Sequence, residues 1–138
     1  NPLDNNGAVS SDFKHETWLF LPQMHIDGEA FLSFDHLFGS GDDYIPSSIM
    51  ISTTPNLDVQ GILAEGFIET NFTQIWVANE NNLPSTKRNE VVSLSEYDNE
   101  EVYIAFRFEG TYNYSGRMWY IDNVEVYVNA AQTTQLAQ

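Results

Sequence analysis

The 138-residue chain contains no cysteine, which excludes a disulfide framework, a thiolate metal site and a thiol nucleophile. Basic residues are scarce. Five Lys and Arg stand against twenty Asp and Glu, a formal charge of −15. Nucleic acid is bound through clustered Lys and Arg, and anionic membranes attract the same residues, so both are excluded as partners. No apolar run approaches the ~18 residues of a membrane-spanning helix, so membrane insertion is not expected. No signal-peptide pattern is present either, and the sequence opens on Asn1-Pro2-Leu3 as an excised or processed domain would.

Catalytic signatures are missing too. His15, His25 and His36 follow neither H-x-H nor H-E-x-x-H spacing, and His15 and His36 read as solvated residues at strand ends. There is no G-x-S-x-G elbow and no phosphate-cradling glycine loop. Glycoside hydrolysis needs two carboxylates facing each other across ~5–10 Å, and in so acidic a chain some pair meets that by chance. The expectation is a protein that is not an enzyme.

Large apolar residues are abundant: 42% of the chain is hydrophobic and 14% aromatic, too rich for a disordered segment. Turn formers recur at short intervals, among them Asp27-Gly28, Gly39 to Asp43, Thr54-Pro55-Asn56, Asn79 to Pro84, Asp98-Asn99 and Gly110 to Gly116. The β-branched and aromatic runs between them predict strands near residues 7–11, 17–21, 29–37, 47–53, 73–78, 90–94, 101–108 and 117–128. No stretch has a sustained 3.6-residue period; "GILAEGF" (61–67) allows one helical turn. In "EVYIAFRFEG", Val102, Ile104, Phe106 and Phe108 share one face, and the simplest topology pairs this strand with the one that follows it. The class is all-β, an antiparallel sandwich or barrel, built as one domain over 1–128 with a polar linker or tail at 129–138.

"GRMWYIDNVEVYV" (116–128) poses the sharpest question. Unbroken alternation puts Met118, Tyr120, Asp122, Val124 and Val126 on the more apolar face, hence a carboxylate in the core. An unpaired charge there costs several kcal/mol, so Asp122 holds a cation, caps a turn, or is turned outward by a bulge. The opposite face carries Trp119, which alternation places beside Arg107 for a guanidinium–indole stack. Trp18, flanked by Leu19 and Leu21, has core company. In "GTYNYSGR", Tyr112 and Tyr114 alternate with Asn113 near Arg117, an interleaving of aromatic and hydrogen-bonding groups that suits a glycan.

Three stretches together resemble the cleaved-adhesin or choice-of-anchor J type domain of bacterial surface proteins, often of Bacteroidetes-type bacteria. They are "ETWLFLPQMHIDGEAFLSFDH" (16–36), "SSIMISTTPN" (47–56) and "VVSLSEYDNEEVYIAFRFEGTYNYSGRMWYIDNVEVY" (91–127). The resemblance implies a jelly-roll β-sandwich related to carbohydrate-binding and MAM-like modules, exported to the extracellular space or cell surface within a larger multidomain chain. It also implies a structural calcium at Asp122, with Asp12, Asp35 and Glu16 available to complete the shell. Family domains open with a strand and a glycine–tryptophan turn that are not visible before Asn5. The expected function is non-catalytic carbohydrate binding through Tyr112, Asn113, Tyr114, Arg117 and Trp119. Neutral polysaccharides are favoured because the chain is so acidic. The alternative is a structural or protein-adhesion module that spaces neighbouring domains.

Overall fold

Alternating side chains set the strands, and the turn formers between them set where each strand stops. The computed structural model describes residues 14–38, 47–62, 64–79, 86–111 and 119–129. In chain order the strands are β1 (Lys14–Phe20), β2 (Met24–His25), β3 (Ala30–Phe38), β4 (Ser47–Ser52), β5 (Thr73–Val77), β6 (Arg88–Ser93), β7 (Glu101–Thr111) and β8 (Trp119–Val128). The two-residue β2 is additional to the expected set, and the expected strand at 7–11 lies outside the described residues. The helical turn expected over 61–67 is displaced to the two ends of that stretch. A 3₁₀ turn covers Val59–Gly61, and the five-residue helix α1 (Phe67–Asn71) begins after Gly66. Gly66 has φ of 76°, a left-handed conformation that glycine adopts without a Cβ penalty.

Two antiparallel sheets face each other. Sheet one runs β1-β7-β4-β5, with β2 also on β7; sheet two runs β6-β3-β8. Most neighbours are far apart in sequence, because the chain crosses between sheets after β2, β3, β5, β6 and β7. The expected β7–β8 pair does not form: β7 already has β1 and β2 on one edge and β4 on the other, so β8 joins β3 across the sandwich.

The core lies between the sheets. Ile49, Ile51, Val102, Ile104 and Phe106 from sheet one meet Leu32, Phe34 and Val92 from sheet two, with Ile26 and Leu94 closing the end. Sheet one is covered on its other face as well. There Met50, Leu57, Ile62 and Phe72 pack with Trp18, Phe20, Phe67, Ile68 and Tyr103. All six residues of β4 are therefore buried, although two successive serines open it.

Candidate functional site

The site begins with a break in the β3–β8 ladder. Ser33 pairs with Glu125, yet Asp35 pairs with Asp122, so Asn123 and Val124 together oppose Phe34 alone. This is a β-bulge, and Asn123 adopts φ of 51° to make it. The extra residue reverses facing along β8. Trp119 and Ile121 point inward before the bulge, and Val124 and Val126 point inward after it, all packed on the core. Unbroken alternation placed Tyr120 and Asp122 in the core; the bulge places both outward. The Asp122 side chain is 72% exposed. Of the three fates open to that carboxylate, the outward turn is the one observed, and its Oδ1 accepts the Asn123 N–H at 2.8 Å.

Asp122 meets Asp35 on the outer face of sheet two. Asp35 Oδ2 accepts from Asn123 Nδ2 at 2.8 Å, and its Oδ1 accepts from Asn89 Nδ2 at 3.0 Å. Lys87 Nζ lies 3.7 Å from Asp35 and 3.8 Å from Asp122, bridging the two carboxylates. The amide bonds, that of Asn123 first and then that of Asn89, hold the Asp35 pKa below its ordinary value; Lys87 adds to this and partial desolvation opposes it. Asp35, Lys87 and Asp122 line a cavity of about 300 Å³ together with His36, Leu37, Tyr120 and Ile121.

Of the four carboxylates expected around calcium, Asp35 and Asp122 are thus brought together and Asp12 lies outside the described residues. Glu16 is remote from them, held by Arg107 on the outer face of sheet one, where it also accepts from Trp18 Nε1 at 3.2 Å. Calcium takes six to eight oxygens. Among the described residues no three His, Cys, Asp or Glu converge, and one ammonium already bridges the pair. The described residues alone do not fill a calcium shell.

Farther along the same face the chemistry turns apolar. Phe31 on β3 stacks on Tyr127 of β8, with centroids 5.6 Å apart, and exposed Val91 of β6 lies in the next row with Ser33 and Glu125. At about 3.3 Å per residue, the face from Phe31 to Leu37 is about 20 Å long.

Directly beneath lies a polar relay that sequence reasoning missed. His36, expected to be solvated, is fully buried, because Ala30, Leu32, Phe34 and His36 all take the inward alternate positions of β3. Trp119 Nε1 donates to His36 Nδ1 at 2.9 Å. An indole N–H only donates, so the imidazole proton sits on Nε2, which donates to Glu90 Oε1 at 3.3 Å. Glu90 in turn holds Arg88 Nε at 3.0 Å. Burial lowers the His36 pKa, and the bond and charge of Glu90 act against that shift. The alternation of Ala30, Leu32 and Phe34 is the sequence signal that would have placed His36 inside.

Trp119 therefore does not sit beside Arg107. It stacks on Trp76 (5.9 Å, 8°) and Phe38 (5.8 Å, 18°) inside the sandwich. The bulge is the reason, since it turns this end of β8 inward. Arg107 lies on the other face of its own sheet, 5.3 Å from the ring centroid of Trp18. Trp18 is half-buried and packs away from Leu19 and Leu21, in the second cluster, stacked on Phe20 and tilted against Phe72. Tyr112, Asn113, Tyr114 and Arg117 lie outside the described residues.

No protein-family model matches the sequence, and no curated protein matches it. The resemblance to cleaved-adhesin domains rests on the three quoted stretches alone.

Proposed function

We propose that this chain is a non-catalytic carbohydrate-binding module of an exported or cell-surface protein, and that the outer face of sheet two takes part in binding. The supporting observation is the juxtaposition on one rigid face of Asn89, Asp35, Asn123, Asp122 and Lys87 with the stacked Phe31–Tyr127 pair. Carboxylates and amides accept and donate to sugar hydroxyls, while the exposed face of an aromatic ring takes the apolar side of a pyranose. A face about 20 Å long suits an oligosaccharide better than a single sugar. Such sites bind weakly alone and gain through multivalency on a polymer. Neutral glycans are the favoured class, because a chain of charge −15 repels polyanions. The loop residues Tyr112, Asn113, Tyr114 and Arg117 belong to the same proposal as a second contact region.

Calcium enters as a competitor of Lys87 for Asp35 and Asp122, with Asp12 as the third carboxylate. The test is a titration of the ¹⁵N-labelled chain with a panel of neutral and acidic polysaccharides, in calcium and in EDTA. Shifts centred on Asn89, Asp122 and Tyr127, abolished by Tyr127→Ala, are expected for a neutral polymer. No shift with any polymer in either condition overturns the proposal and favours the alternative, a protein-adhesion or spacer module. Equal binding in EDTA removes calcium from it.

A further inference from the structure

The bulge at Asn123 divides β8, and the residues ahead of it form a short unit that touches both faces of sheet two. Trp119, Tyr120, Ile121 and Asp122 pair with Phe38, Leu37, His36 and Asp35, and the register breaks immediately after. Inward, Trp119 is tied to the buried His36 by its indole N–H, donated to Nδ1 at 2.9 Å. Outward, Asp122 shares Lys87 with Asp35, and Asn123 donates to both carboxylates. His36, Ile121, Asp35, Asp122 and Lys87 line one cavity. The imidazole and the outer cluster are thus joined through one short stretch of backbone.

We propose that His36 is an acid-sensitive switch for the outer face: a proton on Nδ1 releases Trp119, the unit 119–122 shifts, and the cluster of Asp35, Asp122, Asn123 and Lys87 comes apart. The neutral ring has one acceptor nitrogen, and Trp119 uses it. Protonation puts a hydrogen there, so two donors face each other without an acceptor. The rings packed on the imidazole, Phe34, Phe38, Trp76 and Trp119, carry no lone-pair acceptor to replace the lost one. Charged groups act on His36 from two strands, Glu90 and Arg88 on β6 and Asp35 on β3 itself. Glu90 is engaged at the opposite nitrogen, Nε2. β5 has no ionisable residue, and on β8 the Asp122 carboxylate points outward, beside Lys87. Burial sets the His36 midpoint below 6.5, while Asp35, held below its ordinary value, stays ionised there. Ends of elements open at less cost than their centres, and Trp119 begins β8. The consequence for binding rests on the outer face being the glycan surface: it binds at neutral pH and lets go in acid.

The first measurement needs no glycan. The full chain, ¹⁵N-labelled, is titrated by NMR from about pH 7.5 to about pH 5, a range that brackets the ordinary imidazole value. The His36 ring, assigned by its loss in His36→Phe, is followed with the Trp119 indole N–H and the side-chain amides of Asn89 and Asn123. One shared midpoint below 6.5 is expected, with far-UV circular dichroism unchanged. Trp119→Phe keeps a ring on Trp76 and Phe38 and removes the donor, so His36 should still titrate while the two amides no longer follow it. In His36→Phe the amides should stay flat across the range. Parent amides that ignore the His36 midpoint overturn the proposal, as do amides that follow it unchanged in Trp119→Phe. Loss of every native signal at that midpoint overturns it too, by making the event global unfolding. In the second measurement, a neutral polysaccharide that binds at the upper pH should bind the parent at least about tenfold more weakly at the lower, the change one proton brings over one pH unit. It should bind His36→Phe equally at both, and equal binding of the parent at both overturns the regulation. Binding of none removes the glycan reading, while the first titration still decides the switch.

Discussion

Replacing His36 by phenylalanine isolates the polar relay from the packing around it. The imidazole is fully buried and sits edge-on to Phe34 (5.1 Å), Trp76 (5.5 Å) and Trp119 (6.2 Å). A phenyl ring preserves most of those contacts. It strands the Trp119 N–H, which donates to Nδ1, and takes from Glu90 the Nε2–H that it accepts. An unsatisfied buried donor costs about 1–3 kcal/mol, while Glu90 keeps its bond to Arg88. At about 4 °C per kcal/mol for a domain of this size, Tm should fall by about 4–12 °C at pH 8. The pH dependence carries a second signature. Burial holds the folded-state pKa of His36 below the ordinary 6.5, so the unfolded chain binds that proton more tightly. The stability contributed by neutral His36 is complete above pH 6.5. It is withdrawn below that value, by up to about 1.4 kcal/mol per pH unit, until the folded-state pKa is reached. Glu90, Arg88 and Asp35 are the charged groups acting on it, and they are present in both proteins. The gap in urea-unfolding free energy between parent and His36→Phe should therefore be widest at pH 8 and narrow toward pH 5. A variant as stable as the parent at pH 8, or a gap that stays constant with pH, would refute the assigned tautomer and relay.

Asn123→Val forces a β-branched residue into φ of 51° and removes the bond to Asp35, so urea unfolding should show a loss of about 2–3 kcal/mol. Asn123→Gly, which tolerates that φ, should lose about 1 kcal/mol or less. Arg107→Met leaves Glu16 without its guanidinium in a pair whose side chains are only 17% and 20% exposed, and should cost about 2 kcal/mol. Arg107→Lys should not restore it, because an ammonium lacks the planar fork that also lies over Trp18.

The strands were legible because each carries a period-two signal bounded by turn formers. In β7, Val102, Ile104 and Phe106 are buried as alternation demands. What alternation does not encode is which strand lies next to which. The β7–β8 pairing looked simplest because β8 follows β7 in the chain. It fails because both edges of β7 are taken by strands from far earlier in the sequence. Long-range pairing of that kind leaves no local trace. His36 shows the opposite case: the signal was present, since Leu32 and Phe34 fix the inward phase of β3, and polarity alone suggested solvent.

The bulge explains why the β8 residues were assigned to the wrong faces while the strand itself was found. A single residue in the left-handed region shifts phase, and every side chain before it changes side relative to those after it. Read with that break, the apolar residues of β8 are consistent: Trp119, Ile121, Val124 and Val126 inward, Asp122 and Glu125 outward. The sequence holds two clues to the break, a carboxylate in an apparently apolar phase and an asparagine just after it. Asparagine enters the left-handed region more readily than most residues. Asp122 gains the Asn123 N–H, Asp35 gains the Asn123 side chain, and Lys87 gains both carboxylates. The same shift turns Trp119 inward onto His36 and Trp76. One backbone irregularity thus builds the polar row on the outside and the aromatic relay beneath it. Straightening β8 would bury Asp122 and expel Trp119 together, so the outer cluster and the inner relay should be lost together rather than separately.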